Sequence, residues 1–153
     1  MEWRAIIAFH FTRAKVHEIT QLRLLLEPLE NLGNVYADSG YLSTENCWAI
    51  KEKGGTPFIR PKCTSVGRRK GNPYIEWNPY YAMMDRYRKD PAAWMRQYHQ
   101  RSNIEAVFSA LKRRLGGGVA SIKRGVQQIE IALKIIIYNL MVLARKRIGD
   151  EYF

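Results

Sequence analysis

Three short apolar segments in the first sixty residues have the composition of β-strands. Residues 4–12 and 34–38 are rich in β-branched and aromatic side chains and are too short for stable helices, and residues 56–61 end at a proline. Short runs of this composition are typical of strands, and proline is tolerated where a strand ends. We therefore expect three strands over these segments.

Helical patterns lie between the predicted strands. Leucine and isoleucine recur at spacings of three and four over residues 17–31, which places them on one face of a helix. Ser43 or Thr44 can cap a second helix that runs to about residue 53. The alternation of strands and helices predicts an α/β fold, with crossover helices and a small mixed sheet of about three strands.

The second half of the chain is predicted to be helical. Residues 62–79 are rich in glycine, proline and basic side chains and have no sustained period, so we interpret them as a basic loop insertion. We treat residues 1–153 as a single domain, with a strand and helix part over 1–61 and a helical part over 80–153. Three helices are expected in the latter, at residues 80–89, 91–115 and 127–147.

Several classes of protein are disfavoured by the sequence. The longest apolar stretch, residues 129–144, contains Glu130, Lys134 and Asn139. It is also shorter than the roughly 20 residues that span a bilayer, so we expect a core helix and no membrane partner. No signal peptide is expected from the first residues. Two cysteines cannot alone build a disulfide framework or a zinc site, which favours free thiols in a cytoplasmic protein.

Charge is distributed unevenly along the chain. The sequence has 25 lysine and arginine residues against 14 aspartate and glutamate residues, a net charge of +11. Residues 1–50 contribute 4 basic and 6 acidic side chains, whereas residues 51–153 contribute 21 and 8, a net charge of +13. The strong positive charge of residues 51–153 favours a polyanionic partner, either nucleic acid or an anionic membrane surface. A basic protein without such a partner is the alternative.

Four polar residues in the predicted helix 91–115 are the first candidates for chemistry. Tyr98, Arg101, Glu105 and Lys112 lie at offsets of 0, 3, 7 and 14. On a continuous helix they would occupy one face about 21 Å long. The neighbouring apolar stripe, expected to pack against a sheet, comprises Ile104, Val107, Phe108 and Leu111. Spacing alone favours the simpler interpretation, a solvated face with an Arg101–Glu105 ion pair.

Asp38 is the next candidate. It follows a predicted strand and precedes Gly40, and α/β sheets bind ligands beyond the carboxyl ends of their strands. An aspartate before a helix is also common in turns that bind nothing. Asp38 taken alone therefore decides little.

Together the two motifs resemble those of a known family. The segments Asp38-x-Gly40-Tyr41 and Tyr98-x2-Arg101-x3-Glu105-x6-Lys112 are similar to the second-aspartate and glutamate regions of insertion-sequence DDE transposases, in the subgroup with a tyrosine–arginine–glutamate–lysine signature. The likeness extends over about residues 6–145. It implies a truncated RNase H-like fold and DNA-mediated transposition by metal-dependent phosphoryl transfer.

The resemblance also implies roles for single residues. Asp38 and Glu105 correspond to the second and third catalytic acids, which together with a first aspartate hold two Mg²⁺ or Mn²⁺ ions. Carboxylate oxygens suit such hard cations, and a pair of them can assist both the attacking and the leaving oxygen. By the same likeness Lys112 would contact DNA phosphate or the element end, Arg101 would position phosphate, and Tyr98 would contact the DNA backbone or orient its neighbours.

The sequence departs from the family at the first aspartate. No aspartate precedes Asp38, and Glu18 lies at a predicted helix start and is not the missing ligand. The amino-terminal DNA-binding region usual in such enzymes is not recognised either. We therefore expect a carboxyl-terminal part of a transposase, from a decayed element or a split reading frame, which is catalytically incomplete alone. The alternative is a non-enzymatic DNA-binding remnant that pairs with a full-length transposase or interferes with it.

Basic residues supply the expected contacts to DNA, both element ends and target. They lie in the loop and at the end of the signature helix: Arg60, Lys62, Arg68, Arg69, Lys70, Lys112, Arg113 and Arg114. Phosphate contacts release counterions, so binding should weaken with salt, and contacts should be mostly to the backbone. For any single residue, solvated surface is the alternative. A homo-oligomer and a nucleoid-associated cytoplasmic location in a prokaryote complete these expectations.

Overall fold

The computed structural model of the chain describes residues 4–12, 16–62 and 77–148. The chain forms two compact units. Thr12–Arg101 make up the first, which we call the sheet unit, and Met1–Phe11 together with Ser102–Phe153 make up the second, which we call the helical unit.

The sheet unit is built on two parallel strands. β1 (Asn34–Ala37) pairs with β2 (Thr56–Ile59), with Asn34 opposite Thr56 and Ala37 opposite Ile59. Parallel neighbours require a crossover connection, and this connection contains a nine-residue helix, Thr44–Glu52. The sequence-based prediction of strands near residues 34–38 and 56–61 is thereby confirmed.

Helices complete the described part of the sheet unit. The α-helices are α1 (Leu22–Leu26), α2 (Thr44–Glu52), α3 (Pro79–Lys89) and α4 (Pro91–Tyr98), and short 3-10 helices span Glu18–Thr20, Ser39–Tyr41 and His99–Arg101. Ser43 caps α2 by accepting a hydrogen bond from the Asn46 N–H at 3.0 Å, and Asp90 caps α4 by accepting one from the Ala93 N–H at 2.8 Å. Such caps satisfy backbone donors that the helix leaves unpaired.

The core of the sheet unit lies between the strands and helices α2, α3 and α4. Ile50, Ile59, Met83 and Met84 are fully buried there. Trp94 packs beside them: its ring centroid lies 5.7 Å from that of Phe58 on β2. Burial of several large apolar side chains at one point is the main stabilising term in a unit of this size.

The helical unit consists mainly of two helices. α5 (Ser102–Leu115) ends at Gly116, which has a positive φ of 83°, and α6 (Arg124–Ile148) follows. The amino-terminal segment joins this unit, because the Asn139 side chain accepts from the Ile6 N–H at 2.9 Å and donates to the Ile6 carbonyl at 2.7 Å.

The predicted strand at residues 4–12 is wrong. Within the described residues the sheet has two strands rather than three, and the chain is mostly helical. The amide of Asn139 satisfies the backbone of Ile6 in place of a neighbouring strand. A mixed α/β architecture is confirmed in its coarse form.

Two predicted helices are shorter than expected. The helix predicted over residues 17–31 is reduced to the 3-10 helix Glu18–Thr20 and to α1, and Pro28, which cannot donate a helical hydrogen bond, follows closely. The helix predicted over residues 91–115 is interrupted by the 3-10 helix His99–Arg101. Tyr98 and Arg101 therefore do not lie on one continuous α-helix with Glu105 and Lys112.

The last predicted helix, residues 127–147, is confirmed with slightly wider bounds, and its role as a core helix stays a prediction. α6 has 25 residues and a mean hydropathy of 1.5 over its most apolar part, of which 11% is buried. By length and composition alone it is apolar enough to cross a membrane. Core helices of soluble proteins meet the same criterion, so this property by itself is weak support for a membrane span.

Candidate functional site

Asp38 lies directly after β1, at the carboxyl end of the sheet. Its backbone is extended, with φ −73° and ψ 164°, and its side chain caps the following 3-10 helix. The Asp38 Oδ1 accepts a hydrogen bond from the Ser39 N–H at 2.7 Å. The carboxylate is half exposed, so it is fixed by its own turn and still accessible to a ligand.

Arg101 meets Asp38 from a distant part of the chain. The Arg101 Nη2 donates to the Asp38 Oδ2 at 3.2 Å, and the two side chains are 30% and 51% exposed. Arg101 ends the 3-10 helix that follows α4, and this short helix packs against β1. Two of the predicted site residues are thus brought together, although the sequence had suggested Glu105 as the ionic partner of Arg101.

Two further polar groups lie at the turn after Asp38: Tyr41, which belongs to it, and Glu18, which approaches it from an earlier 3-10 helix. Partial burial raises the pKa of Tyr41, and the nearby carboxylates of Glu18 and Asp38 raise it further. The Glu18 carboxylate lies directly against Gly40, where a Cβ atom would overlap it. Glu18 lies at a helix start, as the sequence predicts, but its approach to Gly40 does not follow from that prediction. The glycine after Asp38 was the available signal.

Tyr98 lies in the core of the sheet unit. It is 6% exposed, and its ring stacks on Trp94 with centroids 5.2 Å apart and planes 16° apart. Stacked aromatic rings add to the stability gained by burial. This position agrees better with a role in orienting neighbours, such as Arg101 three residues later, than with a contact to DNA.

Glu105 and Lys112 belong to the helical unit. Both are exposed on α5, and Arg113 and Arg114 beside Lys112 are exposed as well. Three cations in the last helical turn also interact favourably with the helix dipole, so their presence there does not by itself require a ligand. Because Asp38 and Glu105 belong to different units, their approach stays a prediction.

The apolar stripe beside Glu105 is only partly buried. Val107 is buried, but Ile104 and Phe108 are about half exposed. Because α5 and the sheet belong to different units, the predicted packing of this stripe against a sheet stays a prediction. Periodicity identifies the apolar face of α5 and does not identify what covers it.

The basic loop is described at its beginning. Arg60 and Lys62 are exposed after β2, where the chain leaves the carboxyl end of the sheet. Arg68, Arg69 and Lys70 lie outside the described residues. Their assignment as DNA contacts stays a prediction.

The described residues do not assemble a metal centre. Across 4–12, 16–62 and 77–148, no group of three histidine, cysteine, aspartate or glutamate side chains is placed to hold an ion. Asp38 offers the oxygen ligands that Mg²⁺ prefers, yet its two oxygens are bonded to Ser39 and Arg101. We therefore assign no coordination geometry.

Comparison with known families identifies the chain. The model of the family described as "Transposase DDE domain" matches residues 4–140. Comparisons with curated proteins and with solved structures give no significant match. Since the matched region covers most of the 153 residues, the chain belongs to the DDE transposase domain family. Members of this family generally use divalent metal ions and bind DNA, and an RNase H-like fold is implied.

Proposed function

We propose that this DDE transposase-family protein belongs to the insertion-sequence subgroup with the tyrosine–arginine–glutamate–lysine signature. In this proposal it contributes Asp38 and Glu105 to a DNA strand-cleavage and strand-transfer site. The observation that carries the proposal is the position of Asp38 at the carboxyl end of β1, bonded to Arg101 of the signature. A guanidinium stabilises the charge that develops on a transferring phosphoryl group, so its position beside a candidate catalytic acid suits phosphoryl transfer.

The acids of the described chain are incomplete as a metal site. Asp38 and Glu105 would supply two carboxylates, and a further acid is needed because no aspartate precedes Asp38 and no three-donor group occurs in the described residues. With that acid, we expect the site to hold two Mg²⁺ or Mn²⁺ ions. Such ions would stabilise the negative charge that develops when a nucleophile attacks a phosphodiester.

Arg101 has a specific role in this proposal. Its guanidinium is held near Asp38 by a half-exposed ion pair, and such pairs contribute about 1 kcal/mol or less. A DNA phosphate, which a guanidinium binds through two parallel hydrogen bonds, can therefore compete for Arg101 at small cost. Buried Tyr98 would position this part of the chain through its stacking on Trp94.

The exposed cations of α5 are proposed to bind the DNA backbone. Lys112, Arg113 and Arg114 are consecutive in sequence and all exposed, which makes them accessible to DNA phosphates. Their matched control is the triplet Arg145, Lys146 and Arg147, which also ends a helix of the helical unit and lies outside the family match. Replacing each triplet by glutamine removes the same charge.

A gel-shift titration with salt tests this assignment. The Lys112/Arg113/Arg114 triple variant should bind DNA more weakly and lower the slope of log K against log salt by up to about 3, since each phosphate contact contributes about 0.9. The control triple variant should retain most of the slope. Equal losses in both variants would show that net charge alone drives binding.

A non-enzymatic DNA-binding remnant is the second candidate function. The occupied oxygens of Asp38 and the lack of a three-donor group in the described residues favour it for the chain alone. Such a remnant would act by pairing with a full-length transposase or by interfering with it. A cytoplasmic, nucleoid-associated location in a prokaryote is part of both proposals.

Plasmid nicking separates the two functions. The protein is incubated with supercoiled DNA and Mg²⁺ or Mn²⁺, alongside Asp38→Asn, Glu105→Gln and the control Glu52→Gln, an exposed residue at the end of α2. Nicking that is lost in the first two variants and kept in the control supports an enzyme. Salt-dependent binding without nicking supports the remnant for this chain alone, since its described residues offer no third acid for a metal site. Equal nicking by all four proteins rules out both acids.

A further inference from the structure

The outward face of α6 is apolar along most of the helix. Every exposed side chain between positions 126 and 143 is apolar: Val126, Ile129, Leu133, Ile136, Ile137, Leu140 and Leu143. Their exposed fractions run from 43% for Ile137 to 60% for Ile129. A helix of a monomeric protein normally places charged and polar residues on its outward face. The outward face of α6 is apolar instead.

The spacing of these residues is that of a coiled coil. Six of them follow one another at intervals of 3, 4, 3, 4 and 3 residues: Val126, Ile129, Leu133, Ile136, Leu140 and Leu143. This is the a and d pattern of a heptad repeat, in which each side chain inserts between residues of a facing helix. We call these six residues the heptad seam. Ile137 alone widens it, and the seam is narrower than the stripe that helices usually present to a globular core.

The opposite face of α6 is engaged by its own unit. Ile135 and Tyr138 are buried, and the polar residues of this face bond within the helical unit. The Gln127 amide donates to the Ser121 carbonyl at 2.8 Å, and Glu130 accepts from the Ala120 N–H at 3.1 Å. The hydrogen bonds that Glu130 accepts lower its pKa, chiefly the one from the Ala120 N–H. A helix that crosses lipid would be apolar on all sides, so the seam fits a protein partner better than a bilayer.

The area of the seam is sufficient for a stable pair. The seam and Ile137 together present seven half-exposed aliphatic side chains. Each leaves on the order of 100 Å² accessible, which gives about 700 Å² per copy, above the largest patch of a typical monomer. Two copies would bury about 1,400 Å², within the roughly 1,200–2,000 Å² of specific interfaces.

We propose that the heptad seam of α6 is a self-association surface whose occupant is α6 of a second copy of this chain. An identical helix supplies a seam of equal length and spacing, as a two-fold symmetric interface requires. In an antiparallel pair Val126 would face Leu143, Ile129 would face Leu140 and Leu133 would face Ile136, so that no layer is left unmatched. The inference concerns assembly and does not depend on the proposed reaction.

Sedimentation of the full chain tests the proposal. The wild-type protein should self-associate at micromolar concentration. Ile136→Lys, which places a charge at the centre of the seam, should weaken association by about 100-fold or more because the charge would be desolvated. Ile136→Leu keeps an apolar d position and should associate like the wild type. Ile122→Lys is the matched control, since Ile122 is 96% exposed and precedes α6.

The outcomes separate the seam from its alternatives. Association lost in Ile136→Lys and retained in Ile122→Lys and Ile136→Leu, with unchanged helical circular dichroism, supports the proposal. A wild-type chain that stays monomeric in buffer, or one that is found with lipid vesicles as a monomer, overturns it. Equal weakening by both lysine variants also overturns it, because the effect would then come from charge and not from the seam. DNA binding is measured in parallel and has no bearing on these outcomes.

Discussion

The two units of this protein differ in how much of their apolar surface they bury. In the sheet unit, Ile50, Ile59, Met83 and Met84 are fully buried around a small parallel sheet. In the helical unit, the described residues that are buried are Val107, Ile135 and Tyr138, and the heptad seam is exposed. The sheet unit has the core of a folded domain, whereas the helical unit has the surface of a component that binds something else.

This difference matters for the proposed site. Asp38 and Arg101 are held by the unit with the larger core, whereas Glu105 and the cations after it lie in the unit with the smaller core. Catalytic groups need supporting residues that fix their geometry. We therefore expect assembly of the helical unit with a partner to influence Glu105 more than Asp38.

The largest expected effect on stability comes from truncating a buried isoleucine of the sheet unit, compared with the same change at an exposed isoleucine of the helical unit. Ile50→Ala should lower the free energy of unfolding by about 2–5 kcal/mol, because Ile50 is 0% exposed and large-to-small changes in a core also leave a cavity. Ile104→Ala on α5, where the side chain is 50% exposed, should cost less than about 1 kcal/mol. Denaturant unfolding followed by circular dichroism measures both. Similar losses would mean that Ile104 is covered in solution.

The sheet unit also contains a buried polar contact. Asn46 is 2% exposed, and its amide donates to the carbonyls of Ile19 and Tyr41 at 2.8 Å each. Asn46→Leu should cost about 1–3 kcal/mol, since both carbonyls lose a donor. Asn34→Leu is the control, because Asn34 is exposed and its amide donates to the Tyr36 hydroxyl. Equal stability of the two variants in chemical denaturation would contradict the contact.

The buried thiol of Cys47 in the core of the sheet unit should make the stability of the protein depend on pH. Burial raises the pKa of the Cys47 thiol to about 12, above the value of about 8.5 expected in an unfolded chain. The folded state then keeps a proton that the unfolded state releases. Stability should therefore fall by up to about 1.4 kcal/mol per pH unit as the pH rises above about 8.5.

Comparison with Cys47→Ala isolates this effect. The variant loses the thiol and starts from a lower stability. Its unfolding free energy should depend less on pH between about 8.5 and 10.5, where the unfolded thiol is mostly ionised and the folded thiol keeps its proton. Parallel curves for the two proteins would show that Cys47 is accessible to hydroxide in the folded state.

Sequence patterns predicted those elements whose determinants are local. The apolar segments around β1 and β2 and the Ser43 cap were confirmed, because strand composition and capping depend on a few neighbouring residues. The strand at residues 4–12 failed because a strand requires a partner, and the backbone of Ile6 found the Asn139 side chain instead. A contact between residues 133 positions apart produces no pattern in the sequence around either residue.

The candidate site was likewise predicted only in part, because some of its contacts join residues that are far apart in the sequence. The resemblance to DDE transposases selected Asp38 and the signature residues. The family is confirmed over residues 4–140, and the roles of the single residues stay predictions. The contact between Asp38 and Arg101 joins residues 63 positions apart, and the interruption at His99–Arg101 broke the continuous helix on which the predicted face depended. The heptad seam is visible in the sequence, but its exposure could be learned only from the structure.

The smallest expected effect concerns the pair that links the core to the site. A double-mutant cycle with Asp38→Asn and Arg101→Gln should give a coupling energy below about 1 kcal/mol, because both side chains are partly exposed and such pairs are screened by water and salt. A weak pair is what the proposed function needs: Arg101 must exchange Asp38 for a phosphate, and Asp38 must exchange Arg101 for another cation. A coupling energy above about 2 kcal/mol would instead make the pair a structural lock, and Asp38 would then be a poor candidate for catalysis.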